Sequence, residues 1–488
     1  MESSQRGKQR LKGGSKETME EVTNNTKDRI TELPEGILHM ILAFLEAKDA
    51  ARTSSLSKRW ESVWVSFPVL DFDETFWPSR KKFIDYVKNS LQQRSQVYIQ
   101  KFKLCMKNLK PGKFKISSCI DSWIKFATKG NLEELAINMS ANNDSIPLLH
   151  FEDKKCRFCY RLPQSIYRTE SLTVLKLRRC KLVPSNEVKL PCLKTLSLEE
   201  IHAEDGIVQN LVSTSLLVET LILIRCSGLK DFYCSSSQLQ TLIVEYLPEL
   251  NKFDIETPNL QSFSVALYND LFTKLFQINA ARLKSLSLRC LTIAEEIFHG
   301  LISKLPLLEN LKVVRCGLPR KLKLYKRKLT SLVVFKCKNL VELGIDAPKL
   351  ILFNYTGQML QISLMNTSCK LHVELHLKPI AVDSRWFSEL REILGWFGHA
   401  QILTICCKAH KTERFIIPKE LRESSVPPLL DLKHLQLLTS TESIMNYEEL
   451  IDSLLWISPN IETLSIDMDS SCKTLKFQPK DLLGEWEE

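Results

Sequence analysis

A six-residue pattern, L-x-x-L-x-L, recurs at a nearly constant spacing through the middle of the chain. The steps between successive first positions are 21, 25, 21, 21, 23, 25, 21 and 21 residues. Self-similarity at a period of about 20 to 29 residues is typical of leucine-rich repeats. The first positions are Leu172, Leu193, Val218, Leu239, Leu260, Leu283, Leu308, Leu329 and Leu350, with weaker matches at Ile99, Leu132, Ala400, Leu432 and Ile461. The pattern therefore predicts a repeat array along most of the chain.

Within each unit the side chains alternate as they do in a strand with one buried face. In LTVLKL, Leu175 and Leu177 point to one face, whereas Lys176 and Arg178 point to the other. A single unit cannot bury its leucines alone, so successive units stack into a solenoid with a parallel sheet on its concave side. We expect an α/β class, with an irregular solenoid over residues 99–360 and longer helix-and-strand repeats over 361–488.

Four of the fifteen cysteines occupy one repeat position, the eighth residue after the first leucine. They are Cys180, Cys226, Cys316 and Cys337. The repeat template places Asn or Cys there, so we expect small buried side chains where the chain leaves the strand. Cys156 and Cys159 have a zinc-like spacing, but a structural zinc site needs four ligands and no second matching pair is present. We expect free thiols, no metal and no cofactor.

Charge and hydropathy indicate neither nucleic acid nor a membrane as a partner. The net charge of +10 is small against 67 Lys and Arg and 57 Asp and Glu. No run reaches the roughly 18 uncharged apolar residues of a membrane helix, and no apolar leader follows the charged start. We therefore expect a cytoplasmic or nuclear protein, its basic first residues being either an import signal or a solvated tail.

The segment LPEGILHMILAFL, residues 33–45, is apolar on more than one side. Pro34 suits the first position of a helix, and Glu35 favours its positive end. Ile37, Ile41 and Phe44 lie on one side of a helix over 34–45, while Leu38 and Leu42 lie on another. Short helices after Asp49 and near Ser57 would cover one side. For the other side there are two explanations: the segment caps the N-terminal end of the solenoid, or a partner protein covers it.

The string from residue 28 to about 74 resembles the F-box. It has the L-P-x-x-I-L-x-x-I-L-x-x-L opening, the S-x-L-S-K-R-W centre and a W-x-x-x-P-x-L-x-F-D tail that begins at Trp64. With the repeats that follow, the chain is similar to the plant-type F-box and leucine-rich-repeat family. The expected domains are a disordered polar tail over 1–27, an F-box over 28–75 and a linker with a first helix over 76–98. The C-terminal repeats over 361–488 resemble the FBD-type tail of some relatives at most.

The resemblance implies a role in ubiquitin ligation. In that family the F-box binds a Skp-type adaptor and, through it, cullin and RING subunits, while the repeats hold the protein substrate. The residues that match the family's helical core and adaptor surface are Leu33, Pro34, Ile37, Leu38, Ile41, Leu45, Leu56 and Trp60. The sequence does not divide them between these two roles. It contains no nucleotide-binding, metalloprotease or RING-like motif, so we expect no catalytic residues and no intrinsic enzyme activity.

Two apolar islands are predicted on the concave face from the alternation within each strand. Apolar clusters rimmed by charge commonly mark binding surfaces, although an inter-repeat helix or loop covering them is the alternative. A non-catalytic scaffold that takes no part in ubiquitination is the alternative function. The candidate substrate-binding residues are Ile222, Ile224 and Ile243 in the first island, and Val314, Val333 and Phe335 in the second, with Arg289 and Lys312 beside it.

Overall fold

A computed structural model describes most of the chain, in two compact units that divide between Phe67 and Pro68. The predicted tail over 1–27, Cys156 and Cys159 lie outside the described residues. The predicted F-box range of 28–75 extends past the division between the units, because it includes a strand of the second unit. The described residues are 30–94, 98–107, 114–139, 160–183, 185, 187–203, 206–267, 276–366, 368, 370–377, 383–406, 412–439, 447–468 and 471–476.

The first unit consists of three helices: α1 (Glu35–Phe44), α2 (Ala47–Thr53) and α3 (Lys58–Ser66). The Ser57 side chain caps α3 by accepting a hydrogen bond from the Trp60 backbone N–H at 3.2 Å. The prediction that α2 starts after Asp49 is wrong, because Asp49 lies in its first turn and pairs there with Arg52. The core contains Leu38, Leu42, Ala50, Trp60, Val63 and Phe67. The predicted three-helix F-box fold is confirmed.

The second unit is built mainly from short strands, with helices between some of them. Its helices are α4 (Arg80–Gln93), α5 (Phe114–Ala127), α6 (Ile207–Thr214), α7 (Glu295–Ser303), α8 (Ser384–Gly395), α9 (Lys419–Glu423) and α10 (Tyr447–Ile457). Its first strands are β1 (Val69–Asp73), β2 (Lys101–Cys105), β3 (Glu134–Asn138), β4 (Tyr160–Arg161), β5 (Val174–Arg178), β6 (Cys180–Leu182), β7 (Thr195–Glu199), β8 (His202–Ala203), β9 (Thr220–Ile224), β10 (Asp231–Ser235), β11 (Thr241–Glu245), β12 (Lys252–Glu256) and β13 (Ser262–Ala266). The remaining strands are β14 (Phe276–Asn279), β15 (Ser285–Arg289), β16 (Asn310–Val314), β17 (Lys321–Tyr325), β18 (Ser331–Phe335), β19 (Glu342–Asp346), β20 (Leu352–Gly357), β21 (Gln361–Met365), β22 (His372–Leu377), β23 (Ile402–Cys406), β24 (His434–Thr439), β25 (Thr463–Met468) and β26 (Ser471–Lys476).

One sheet of seventeen strands runs through this unit. Its neighbours pair in parallel from β1 to β25, and only the last pair, β25 with β26, is antiparallel. Every L-x-x-L-x-L match in the sequence coincides with a strand of this sheet, which confirms the predicted parallel solenoid. Three strands had no match, β1, β22 and the terminal β26. β1 lies in the predicted F-box tail but pairs with β2, and β22 extends the array between β20 and β23.

Three smaller parallel sheets form a second layer that the sequence did not predict. They contain β4, β6 and β8, then β10, β12 and β14, and finally β17, β19 and β21. Aromatic side chains join the two layers, as Phe253 of β12 stacks on Phe263 of β13 with ring centroids 6.3 Å apart. Where a repeat has no second strand, a helix such as α7 takes its place.

A left-handed residue ends most strands of the central repeats. Its φ lies between 49° and 59°, although none of these residues is glycine. Each backbone N–H donates to the carbonyl of the fifth residue in the strand of the next repeat, at 2.6 to 3.0 Å, and these bonds offset a strain of about 1–2 kcal/mol per residue. The residues are Arg179, Glu200, Arg225, Tyr246, Cys290, Arg315 and Lys336.

The cysteine position follows directly after this turn. Cys180, Cys226 and Cys316 are buried, as expected, whereas Cys337 is only half-buried. The thiols donate to backbone carbonyls, as Cys226 Sγ does to the oxygen of Leu198 in the preceding repeat at 3.2 Å. Burial raises the pKa of the Cys226 thiol to about 12, so it stays protonated and able to donate.

Within the described residues, no helix combines the length and the apolar composition that a membrane crossing requires.

Candidate functional site

Helix α1 presents a stripe of large apolar side chains to solvent. Ile37, Met40 and Phe44 are 43%, 58% and 88% exposed and repeat at intervals of three and four residues, which places them on one face. Leu45 directly after α1 and Leu56 between α2 and α3 are exposed as well. We call Ile37, Met40, Phe44, Leu45 and Leu56 the apolar stripe. Burial of such a surface against another apolar surface lowers the free energy of the system.

The structure divides the eight F-box residues chosen from the sequence. Leu38 and Trp60 are buried inside the unit, and Leu33 and Ile41 are half-buried. Pro34, Ile37, Leu45 and Leu56 are exposed. Met40 and Phe44 were not among the chosen residues, although their spacing of four residues beside Ile37 was a signal that they share its face.

Polar contacts fix α1 against α3 on the side away from the stripe. The Nε2 atom of His39 lies 3.1 Å from the Ser66 hydroxyl and 3.2 Å from the carbonyl oxygen of Val63. Arg59 of α3 donates to the carbonyl oxygen of Leu33, just before α1. These contacts with α3 fix the orientation of α1, and hence of the apolar stripe, within the unit.

On the concave sheet, the members of each predicted island lie on neighbouring strands, as expected from the sequence. Ile222 lies opposite Ile243, and Val314 lies opposite Phe335. All six apolar candidates are half-buried and thus partly accessible to a ligand. Ile224 is flanked by Glu199 and Glu245, so the first island is bordered by acid rather than by further apolar groups.

Arg289 and Lys312 differ in what they can offer a ligand. Arg289 Nη1 donates to Glu245 Oε1 at 2.6 Å, and this ion pair spans Ala266, which lies between them in the register and is fully buried. The hydrogen bond that Arg289 donates to Glu245 raises the pKa of the Arg289 guanidinium. The guanidinium therefore already has a carboxylate, whereas Lys312 is exposed and forms no ion pair with any residue that the structure describes.

A hollow of about 310 Å³ lies on the same face, toward the N-terminal end of the sheet. Its centre is Ala136 on β3, whose small side chain leaves room between its neighbours Lys103 and Lys176. This site was not predicted from the sequence, where its signal was an alanine at an outward strand position between two lysines. The lining residues are Asp71, Lys103, Leu104, Cys105, Ala136, Ile137, Asn138, Lys176, Leu177, Arg178, Ser197 and Glu199.

Three arginines surround one carboxylate at the border of this hollow. Glu200 accepts hydrogen bonds from Arg178 at 2.8 Å and Arg179 at 2.5 Å, and Arg225 lies 3.7 Å away. Burial alone would raise the pKa of Glu200, but the hydrogen bonds from Arg178 and Arg179 outweigh it and hold the pKa below its ordinary value. This network orients Arg178, whose side chain also lines the hollow.

The described residues contain no cluster of three or more His, Cys, Asp or Glu side chains that could hold a metal ion. Cys105 lines the hollow, but burial and the nearby Asp73 and Asp71 raise the pKa of its thiol to about 11. A thiol of this kind is a poor nucleophile at neutral pH.

The profiles of two known families together match nearly the whole described chain. The profile of the F-box domain matches residues 30–72. The profile described as the At1g61320/AtMIF1 LRR domain matches residues 90–276 and 264–479. The F-box profile extends past α3 into β1, and the repeat profile begins within α4.

Relatives in Arabidopsis thaliana carry the same combination. The FBD-associated F-box protein At5g22730 is 30% identical over 41% of this chain, and the putative FBD-associated F-box protein At5g22720 is 27% identical over 72% of it. The F-box/FBD/LRR-repeat protein At1g51370 is 30% identical over 54% of the chain. The aligned regions span 40%, 70% and 56% of these relatives' own lengths. The two matched profiles together with these relatives show that the chain belongs to the plant family of F-box proteins with leucine-rich repeats.

Proposed function

We propose that this chain is the substrate-recognition subunit of a Skp-cullin-F-box ubiquitin ligase. Its F-box unit binds a Skp-type adaptor and, through it, the cullin and RING subunits. The repeat unit holds the protein that is ubiquitinated. The chain itself is not a catalyst, and it acts in the cytoplasm or the nucleus.

The apolar stripe carries this proposal. A helix of ten residues that buries Leu38 and Leu42 on one face and exposes Ile37, Met40 and Phe44 on another is built to lie between two apolar surfaces. The F-box unit supplies only the inner surface. An adaptor with a complementary apolar groove would supply the other.

Binding to a recombinant plant Skp-type adaptor tests the stripe. Changing Phe44 to Ser should weaken adaptor binding at least about tenfold, because an aromatic anchor at the centre of an interface commonly contributes 2 kcal/mol or more. Changing Ile37 to Asp should weaken it further, since it places a charge in an apolar contact. Affinity is measured by titration calorimetry with the full chain.

Tyr325 provides a matched control, because it is an aromatic residue of the repeat unit that is 62% exposed. Changing Tyr325 to Ser should leave adaptor affinity unaltered. Equal affinities for the wild type and the Phe44→Ser variant would contradict the proposed docking surface. A wild-type chain that binds no adaptor, and recovers no cullin from plant extract, would favour the non-catalytic scaffold instead.

The repeat unit supports the second half of the proposal through its long, partly apolar concave sheet. The islands at Ile222 and Ile243, and at Val314 and Phe335, each lie on a pair of neighbouring strands, and β13 and β15 separate the two pairs. An extended segment that crosses these strands could contact both islands. We propose that the target presents a protein segment with apolar side chains to this sheet.

A further inference from the structure

The hollow around Ala136 has a basic inner ring. Ala136 lies opposite Lys103 on β2 and opposite Lys176 on β5. Neighbouring strands are about 4.8 Å apart, so the two lysine stems stand roughly 10 Å from each other with only a methyl group between them. Two residues further along the strands, Asn138 lies opposite Arg178. Three cationic groups and one amide thus border the same space.

Acidic residues lie one step further out. Asp71 stands beyond Lys103, on β1, and Glu199 stands on β7 beyond Arg178. Glu134 contacts Lys176 from the start of β3 at a long distance of 3.5 Å. Asp71 and Glu199 therefore lie on the outer strands of the hollow, while Lys103, Asn138, Lys176 and Arg178 supply donors nearer its centre.

The remaining polar wall does not compete with an anion. The Cys105 thiol is neutral at physiological pH because burial raises its pKa to about 11. Ser197 adds a hydroxyl at the other end of the hollow. A cationic, donor-rich centre inside an acidic border favours a compact anion over an extended polyanion, because a larger anion would meet the outer carboxylates.

We propose that this hollow is an anion-binding subsite that receives a single carboxylate or phosphate group between Lys103 and Lys176. Such a group belongs either to a free small anion or to an acidic side chain of the protein substrate. The second source rests on the proposed function. It places the contact for an acidic residue in the N-terminal part of the sheet, because the candidate Arg289 already pairs with Glu245.

Titration of the full chain at low salt tests the subsite with four probes: succinate, inorganic phosphate, and the blocked peptides Gly-Glu-Gly and Gly-Gln-Gly. We expect saturable binding of at least one anionic probe and none of the glutamine peptide. The affinity should fall as salt rises, because the contact is between charges. Binding of succinate or phosphate without the glutamate peptide identifies a free anion as the occupant. Binding of the glutamate peptide identifies an acidic side chain.

Filling the hollow provides the decisive variant. Ala136 points outward and is half-buried, so Ala136→Leu occupies the space without altering any charge and should weaken anion binding at least tenfold. Ser287→Leu is the matched control, because Ser287 occupies the same outward row on β15 between Ser264 and Lys312. It should bind as the wild type does. Lys103→Met, which keeps the stem and removes the charge, should reproduce the loss.

Three results would overturn the subsite: no saturable binding of any anionic probe up to about 10 mM, equal binding by the wild type and both hollow variants, or equal loss in Ser287→Leu. Circular dichroism of each variant verifies its fold. The titrations contain no adaptor, so their failure leaves the ubiquitin-ligase proposal standing, and a failed adaptor titration leaves the anion subsite standing.

Discussion

At the scale of single residues, Glu200 shows how a left-handed turn residue can organise its surroundings. Its backbone φ of 52° places it just beyond β7, and its side chain meets Arg178 and Arg179 of the preceding repeat and Arg225 of the following repeat. Only 12% of the carboxylate side chain is exposed, so solvent screens these ion pairs weakly. A single anion thus holds three cations that would otherwise repel one another.

Removing this charge should destabilise the repeat unit. We expect Glu200→Gln to lower the free energy of unfolding at pH 7 by about 2 kcal/mol, the size of a charge-assisted hydrogen bond. Because the folded-state pKa of Glu200 lies below its ordinary value of 4.5, its contribution is present above that value and is lost as the pH falls through the folded-state pKa. Urea unfolding at pH 7 and at pH 3 should show a difference that shrinks at the lower pH.

The surface residue Glu187 serves as the comparison, since it pairs with Lys189 and Arg168 in open solvent. Glu187→Gln should not alter the unfolding curve measurably. A Glu200→Gln variant as stable as the wild type at pH 7 would show that the arginines are satisfied without it.

Thiol reactivity should follow burial. At pH 8 we expect Cys192, which is exposed, to react with an aromatic disulfide reagent in the native protein. Cys226 and Cys316 should react only after unfolding, because burial raises the pKa of each to about 12. Under denaturing, non-reducing conditions all fifteen cysteines should titrate. A much lower count, or one zinc ion per chain, would refute the expectation of free, metal-free thiols.

At the scale of elements, periodicity predicted what depends on neighbours close in sequence. The two-residue alternation within each repeat gave the strand positions, and the intervals of three and four residues in α1 gave its separate faces. The second-layer strands were not predicted, because stretches of two to five residues between turns resemble ordinary loops in the sequence. The hollow was not predicted, because it depends on the register between the strands of Lys103, Ala136 and Lys176. Their repeats match the template weakly or are unevenly spaced, so the sequence does not align these three residues. The partner of Arg289 lies two strands away, beyond what alternation describes.

The apolar islands belong to this scale because they join adjacent strands. Changing Ile222, Val333 and Phe335 to Ser should stabilise a degradation target in cells without weakening adaptor binding. The three side chains are half-buried and outward, so the fold should tolerate the change. Target half-life and adaptor co-purification are measured together. Normal turnover of the target by the triple variant would place recognition on the loops or on the C-terminal repeats.

At the scale of the whole molecule, the position of β1 determines which fragment folds. Leu70 and Phe72 of β1 are buried in the repeat unit, and the Glu74 carboxylate accepts hydrogen bonds from Arg80 and from the backbone N–H of Lys107. A fragment that starts near residue 80 loses these contacts and leaves β2 as an open edge.

Two fragments should therefore behave differently. Residues 68–488 should fold as a monomer. Residues 80–488 should be less stable by about 3 to 6 kcal/mol, the expected loss for two large buried side chains, and should aggregate through the exposed edge. Size-exclusion chromatography and thermal unfolding compare them. A stable monomer of residues 80–488 would mean that β1 belongs functionally with the F-box.

The even spacing of the strands also has a mechanical consequence. Each central repeat contacts mainly its neighbours, and successive repeats begin 21 to 25 residues apart. When the repeat unit is stretched between its ends in an optical trap, it should therefore peel apart in steps rather than rupture at once. Each step should release roughly 70 to 90 Å of extended chain. A repeat unit that unfolds in such small increments lengthens gradually under force. It can therefore absorb the pull of an unfolding machine without breaking at a single point.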